Sequence, residues 1–332
     1  MVTDENRVGI LGMGMYVPEK VITNQELESM VDTSDEWIIQ RTGIKERRIT
    51  AANEDAYTVG RDAAKRALEN AGIQGSEIGL IIVTTATAGY YSPAIASSIQ
   101  DDIGAKDCAA FDMNAACTGF IYGLITAEKF ILSGTCKYAL VIAAETLSKF
   151  VDWNDRATCI LFGDGAGAAV LGRVDSGFGI SASLLQSDGS GRDMITIPGN
   201  SISPLDIERR GGKKSKTIWM DGGKVLKFAS RVMTSSIEEL LLATGLDLAD
   251  IDMIIPHQAN MRIIENAIKR FSLDREKVFI NLHKYGNTSS ASVPIAMTEA
   301  MTTGKLKRGD NVILVAFGGG LTYGAALLKW SC

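Results

Sequence analysis

One arrangement of helix, loop and strand occurs twice along this chain, and the repetition constrains its fold more than any other feature. Ala71-Gly-Ile-Gln-Gly-Ser-Glu-Ile-Gly-Leu-Ile-Ile-Val83 resembles Thr244-Gly-Leu-Asp-Leu-Ala-Asp-Ile-Asp-Met-Ile-Ile-Pro256. Each is a helix end with Gly, a short acidic loop and an apolar strand. The strand around Phe111 has a counterpart around Phe279, and Phe162-Gly-Asp-Gly165 matches Phe317-Gly-Gly-Gly320. The matches keep one order, which marks an internal duplication. Helices alternating with apolar strands predict, in each half, a mostly parallel sheet covered by helices. The pattern restarts near residue 180, so residues 1–180 and 181–332 are expected to form two similar halves. With 332 residues, 46% of them hydrophobic, the chain has enough apolar surface for a large core.

Charge and cysteine usage remove several function classes. A net charge of −5 argues against general nucleic-acid binding. No apolar run is long enough to span a bilayer, and the acidic N-terminus, Met-Val-Thr-Asp-Glu-Asn, does not read as a signal peptide. Five cysteines in no paired spacing predict reduced thiols and a cytosolic protein. With two histidines and no Cys-x-x-Cys, a zinc site is not expected.

Several local patterns punctuate the chain. Val8–Gly14 reads as a strand entering Gly12-x-Gly14. Val17 and Pro18 follow where a dinucleotide loop needs a small residue and a helix start, so that motif is rejected. Asp32–Trp37 reads as a helix start capped by Ser34 or Asp35. Trp37 and Arg41 share a helix face, followed by Lys45, Arg47 and Arg48. They form either ordinary amphipathic packing or a platform for a base and a phosphate. Tyr57–Ala71 reads as a helix, Ile78–Thr85, Cys108–Met113 and Tyr138–Ala144 as buried strands, and Ile251–Ile255 and Val278–Ile280 as further strands. A helix is expected to begin near Pro93. Cys159–Leu171 reads as a Gly/Ala-rich hairpin-like pair with close backbone packing. Arg209–Lys216 is a basic loop, either solvated or a dock for an acidic partner.

Candidate chemistry gathers past the ends of strands, where open α/β sheets bind ligands. Cys117 stands at a strand-to-helix turn in Asp112-Met-Asn-Ala-Ala-Cys-Thr-Gly-Phe120. There, unpaired N–H groups and the helix dipole are expected to favour the thiolate and make Cys117 a nucleophile. The bland alternative is a small buried cysteine. In the second half, a strand ends in Pro256-His257-Gln-Ala-Asn260, and the next leads to His283-Lys-Tyr-Gly-Asn287. Packing the halves about a pseudo-twofold is expected to bring Cys117 opposite His257 and Asn287 as hydrogen-bond donors. The alternative is a structural His and a turn Asn. The glycines of Phe317–Gly320 offer backbone N–H groups to an oxyanion.

Together these residues resemble the thiolase superfamily, and within it the β-ketoacyl-acyl-carrier-protein synthase III family. The likeness runs through Val31-Asp-Thr-Ser-Asp-Glu-Trp-Ile38, Arg41-Thr-Gly-Ile44, Ala115-Ala-Cys-Thr-Gly119, Phe162–Gly167, Pro256-His-Gln-Ala-Asn260, Tyr285-Gly-Asn-Thr-Ser289 and Ala316-Phe-Gly-Gly-Gly320. It covers essentially the whole chain.

The fold this resemblance implies is α/β: a duplicated, thiolase-like, five-layered αβαβα arrangement. The activity it implies starts fatty-acid synthesis. An acyl group passes from acyl-CoA to Cys117 and condenses with malonyl-acyl-carrier protein as CO2 leaves. The catalytic set it implies is Cys117, His257 and Asn287, with the N–H groups of Cys117 and Gly319 as oxyanion hole. A Cys–His–Asn set separates this branch from elongating synthases with two histidines, and His283 is not expected to be catalytic.

The resemblance further implies Trp37 and Arg156 as contacts for CoA adenine and phosphate, with Arg41 and Asn260 along the phosphopantetheine entrance. Lys227, Arg262, Lys269 and Arg270 are then a patch for the acidic carrier protein, or simply a solvated helix face. A homodimer is implied, and no cofactor. The residue before Pro93, often Phe in relatives that prefer acetyl-CoA, reaches the partner subunit's acyl pocket; here it is Ser92, flanked by Tyr90 and Tyr91, so the primer expected is acetyl-CoA or a somewhat longer or branched acyl-CoA. Among rival readings, a papain-like protease shares the order Cys, His, Asn but not the duplication. A hydroxymethylglutaryl-CoA or polyketide-type synthase shares the fold. A silent CoA-binding protein leaves the three residues idle.

Overall fold

A computed structural model describes residues 7–199, 203–210, 212 and 216–332. The N-terminal Met-Val-Thr-Asp-Glu-Asn and residues 211 and 213–215 of the basic loop lie outside the described residues. The first sheet comprises β1 (Val8–Tyr16), β2 (Ile78–Thr84), β3 (Ala109–Met113), β4 (Tyr138–Thr146) and β5 (Asp164–Arg173), in the order β1-β5-β4-β2-β3. The second comprises β6 (Gly179–Ser187), β7 (Met253–Pro256), β8 (Asn311–Gly318) and β9 (Thr322–Lys329), in the order β6-β9-β8-β7. Val278 bridges Ile254 on β7, at the place β3 holds in the first sheet.

Both sheets are mixed, which corrects the expectation of mostly parallel ones. β2 pairs parallel with β3 and β4, but β5 runs antiparallel to β4 and β1. β7 and β8 are parallel, while β9 is antiparallel to β8 and β6. Both faces are buried even so, because helices cover them, and apolar content records burial rather than strand direction. On β2, Leu80 and Ile82 point into one core while Ile81 and Val83 point into another.

Helices α1 (Asp35–Thr42), α2 (Ala56–Ala71), α3 (Ile95–Asp102), α4 (Gly119–Leu132), α5 (Gly222–Thr244), α6 (Met261–Phe271) and α7 (Ser292–Thr302) complete the frame. Val59, Ala63 and Ala67 of α2 and Ile99 of α3 cover the outer face of the first sheet. Phe120 and Leu124 of α4 and Ile295 and Met297 of α7 fill the space between the sheets. Phe228 and Val232 of α5 and Ile264 of α6 cover the second sheet. The result is five layers, αβαβα. Among the described residues, no helix is long and apolar enough to cross a membrane.

Three further expectations change. Only Asp164–Arg173 of the Gly/Ala-rich stretch is a strand; Cys159–Leu161 are turn, so there is no hairpin there. Val278–Ile280 contributes a single bridge rather than a strand. β3 is not buried: it is an edge strand, half-exposed along most of its length.

Candidate active site

The turn carrying Cys117 is built twice, once in each half. After β3, Asn114 Oδ1 accepts the Ala116 N–H at 3.1 Å. Ala116 adopts φ +47°, and Ala116–Thr118 form a 3-10 turn leading into α4. In the second half Asn287 Oδ1 accepts the Ser289 N–H at 2.9 Å. Ser289 adopts φ +50°, and Ser289–Ala291 form a 3-10 turn leading into α7. Asn114 and Asn287 are thus counterparts, as are Cys117 and Ser290. Left-handed backbone at Ala and Ser costs about 1–3 kcal/mol each and concentrates at functional turns.

Each half props the other's turn with a Phe-Gly pair. A Cβ at Gly318 would come within 2.7 Å of the Cys117 backbone nitrogen, and one at Gly163 within 2.3 Å of the Tyr285 carbonyl oxygen. Asn287 N–H donates to the Leu161 carbonyl at 2.9 Å, and Gly163 N–H to the Asn287 carbonyl at 3.0 Å. The matched Phe-Gly dipeptides are therefore where the halves interlock.

Cys117, His257 and Asn287 line one cavity of about 340 Å³, with Phe317 and Gly319 beside them. Trp37, Arg41, Asn260 and Arg262 line its more exposed part. Cys117 and Gly319 also border a second hollow of about 350 Å³, walled by Leu147, Phe162, Ile197 and Ile218. Cys117 stands between the two.

Burial dominates the electrostatics. It pushes the Cys117 thiol up to about 12, with the charge of Glu145 adding to the rise. The Ser289 hydroxyl and the backbone N–H act the other way but are outweighed. Burial thus outweighs the helix terminus and holds Cys117 toward the thiol. Burial lowers His257 to about 3, so the ring is neutral. Its Nδ1 meets Ser292 Oγ at 2.6 Å, and the Phe317 ring packs edge-on at 5.3 Å. Glu145 is fully buried, accepting from Thr87 Oγ1 at 2.8 Å and Ser290 Oγ at 2.7 Å, and burial raises its carboxyl.

The remaining predicted residues separate into two groups. Arg41 and Arg156 lie over the Trp37 ring, at 5.6 and 5.2 Å from its centroid. Asn260 caps α6 and donates to the Arg41 carbonyl at 3.2 Å. Arg47, by contrast, is buried, with its guanidinium donating to Ile22, Asn24 and Ile160, so it is withdrawn from any phosphate platform. Lys227, Lys269 and Arg270 are exposed and line neither hollow, and Arg270 pairs with Glu238 at 3.5 Å. Ser92 is exposed on the loop after β2 and lines neither hollow within the single chain. His283 also lies outside both. Ser289, Ser292 and Glu145 were not singled out from sequence. The Asn114/Asn287 repeat points to Ser289, the counterpart of Ala116, but Asn114 directly follows its strand whereas six residues separate Ile280 from Asn287.

Comparison with known proteins agrees with this architecture. The family model described as 3-oxoacyl-[acyl-carrier-protein (ACP)] synthase III matches residues 111–189, and its C-terminal counterpart matches residues 241–330. The chain is 51% identical over 327 residues to the beta-ketoacyl-[acyl-carrier-protein] synthase III of Clostridium acetobutylicum, covering 98% of this chain and 99% of that one. It is 52% identical over 324 residues to the enzyme of the same name from Caldanaerobacter subterraneus, covering 97% and 98%. The crystal structure of 3-oxoacyl-[acyl-carrier-protein] synthase III from Aquifex aeolicus matches with a TM-score of 0.90 at 44% identity, covering 97% of this chain and 100% of that one. Near-complete coverage at this identity places the chain in the β-ketoacyl-[acyl-carrier-protein] synthase III family, with its thiolase fold.

Proposed function

We propose that the protein joins an acyl-CoA primer to malonyl-acyl-carrier protein with loss of CO2, the condensation that initiates fatty-acid synthesis. The observation that carries this is the meeting of Cys117, His257 and Asn287, from three turns in two interlocked halves, in one cavity. The two-half reading is part of the proposal, with the nucleophile on residues 1–180 and the donors on 181–332. Matching strand orders support it.

In the first stage Cys117 sulfur bonds to the acyl carbon, the CoA sulfur leaves, and the Cys117 proton ends on CoA. The N–H groups of Cys117 and Gly319 hold the oxyanion. Trp37 and Arg156 take the CoA adenine and phosphate, and Arg41 and Asn260 flank the pantetheine. The stacking of Arg41 and Arg156 on Trp37, and the place of Trp37, Arg41 and Asn260 at the cavity's exposed end, support this. The acyl chain lies in the apolar hollow behind Cys117. In the second stage the malonyl C–C bond breaks, and the electron pair moves into an enolate whose oxygen receives hydrogen bonds from His257 and Asn287. The enolate carbon attacks the acyl-thioester, and the Cys117 sulfur leaves as a thiolate and takes a proton from solvent. The reaction needs no metal or redox cofactor, because the thioester and the departing CO2 drive it.

The carrier protein docks on the cationic face of Lys227, Arg262, Lys269 and Arg270. The enzyme works in the cytoplasm as a homodimer. The half-exposed edge strand β3 supports the dimer, as do Tyr90 and Tyr91, which are 71% and 82% exposed beside Ser92. The test uses radiolabelled acyl-CoA and malonyl-carrier protein. Cys117→Ser is expected to form no acyl-enzyme. His257→Ala and Asn287→Ala are expected to keep much of the acylation and lose condensation, and His283→Ala to be mild. Normal labelling of Cys117→Ser, or loss of acylation in the other two equal to that in Cys117→Ser, overturns the assignment.

A further inference from the structure

The buried hydroxyl of Ser292 is the hydrogen-bond partner of the His257 ring. Ser292 opens α7 and is 2% exposed. Its Oγ meets two groups: His257 Nδ1 at 2.6 Å and the Gln258 backbone nitrogen at 3.4 Å. A peptide N–H can only donate, so Oγ accepts from Gln258. The hydroxyl has one hydrogen to place, and among the described residues Nδ1 is the acceptor it meets. Were Nδ1 protonated, the oxygen would face two donors and its own hydrogen would be buried without a partner. A hydroxyl hydrogen left without a partner in a dry interior is strongly disfavoured. Nδ1 is therefore the acceptor, and a neutral ring must carry its hydrogen on Nε2. The ring has little freedom to escape this, since the His257 backbone N–H is tied to Val315 at 2.8 Å and Phe317 packs against its side.

We infer that Ser292 is a positioning residue that locks His257 as the Nε2–H tautomer, so that the ring offers the cavity a hydrogen-bond donor and not a base. The inference rests on the condensation proposed above. An enolate oxygen needs N–H groups aimed at it, and the other tautomer would turn a lone pair toward it. Asn287 is prepared in the same way. Its Oδ1 is occupied by the Ser289 N–H, which leaves the amide NH2 for the cavity. The Cys117 proton then does not pass to His257 and leaves with the CoA sulfur. Burial, which keeps the ring uncharged, makes the tautomer the only variable left.

The test reads the proton directly, by long-range 1H–15N correlation of the full-length 15N-labelled protein. His283→Gln removes the only other histidine signal. Wild type is expected to show Nε2–H at His257, unchanged from pH 5 to 9. Ser292→Ala is expected to give mixed or Nδ1–H signals, and Ser292→Thr, which keeps the hydroxyl, to retain Nε2–H. In parallel, decarboxylation of malonyl-carrier protein is expected to fall roughly tenfold or more in Ser292→Ala. Acylation of Cys117 is expected to stay within about threefold, and Ser292→Thr to recover most of the loss. A wild-type proton on Nδ1, an unchanged tautomer in Ser292→Ala, or full decarboxylation by that variant overturns the inference. If Ser292→Ala does not fold, the wild-type and Ser292→Thr spectra still decide it. Normal decarboxylation by His257→Ala instead overturns the catalytic reading and leaves the tautomer measurement standing.

Discussion

Cys117 is 7% exposed, and the free thiol pays for that burial in basicity. With its ionisation pushed up to about 12, it is expected to react with iodoacetamide far more slowly at pH 7.5 than an ordinary cysteine, speeding up steadily above pH 9. Mass spectrometry of the alkylated peptide checks this, and fast labelling at neutral pH contradicts it. His257 makes a second prediction. Its depressed value of about 3 means that the unfolded chain binds the proton more readily between pH 3 and 6.5. Its contribution to stability is present above about pH 6.5 and is lost as the pH falls toward 3. A His257→Gln protein is therefore expected to show a flatter fall in Tm between pH 6.5 and 4 than wild type. The decarboxylation rate should show no histidine titration near pH 6.5. That Cys117, His257 and Asn287 share one cavity was legible because Cys117 and His257 follow strands in recognisable runs and Asn287 stands just before the turn that opens α7. The charge state of Cys117 was not. A helix terminus is visible in sequence, whereas burial is set by Gly318, Phe317 and Ser289, which are distant along the chain.

Arg47 shows the same limit among the elements. Sequence groups it with Lys45 and Arg48 in one basic cluster, yet it is fully buried. It ties the short strand Glu46–Arg48 to Asn24 and to the Ile160 carbonyl at 2.7 Å. Ile160 in turn lines the cavity holding Cys117. Arg47→Ala leaves three acceptors without this donor and opens a void. It is expected to cost on the order of 3 kcal/mol, several degrees in Tm, and to weaken acyl-CoA binding through the Ile160 wall. A thermal scan beside a KM measurement tests both. Helix α2, with its Asp55 cap and Gly72 end, was readable almost to the residue, because period and punctuation are local. Strand direction was not, since β4–β5 and β2–β4 are equally apolar, and pairing lies between segments.

At the scale of the molecule, one core runs through both halves, from Val8 and Leu80 to Leu314 and Leu328. The repetition in sequence announced this, but not what lies beyond the chain's own edge. Ser92 belongs to that unread part, exposed here and proposed to complete the partner's acyl pocket. Each methylene buried there is worth about 0.8 kcal/mol, roughly fourfold in affinity. Wild type is expected to acylate with medium or branched acyl-CoA at least as well as with acetyl-CoA, and Ser92→Phe to shift preference toward acetyl. Acylation across a series of chain lengths decides. A wild type that strongly prefers acetyl-CoA and a Ser92→Phe protein that changes nothing would remove Ser92 from the pocket.

The placement of Cys117 between two hollows has a kinetic corollary. On the mechanism proposed above, once the acyl chain lies behind the sulfur, the front passage empties and serves the second thioester. CoA and the carrier protein's prosthetic arm then travel the same corridor at different times, and neither waits in a site of its own. Double-reciprocal plots should run parallel at low substrate, the signature of a ping-pong cycle. At high concentration malonyl-carrier protein should slow its own reaction, by occupying the corridor of enzyme not yet acylated, and extra acyl-CoA should relieve the block. Intersecting lines throughout would mean that the two thioesters reside on the enzyme together, each with a path of its own.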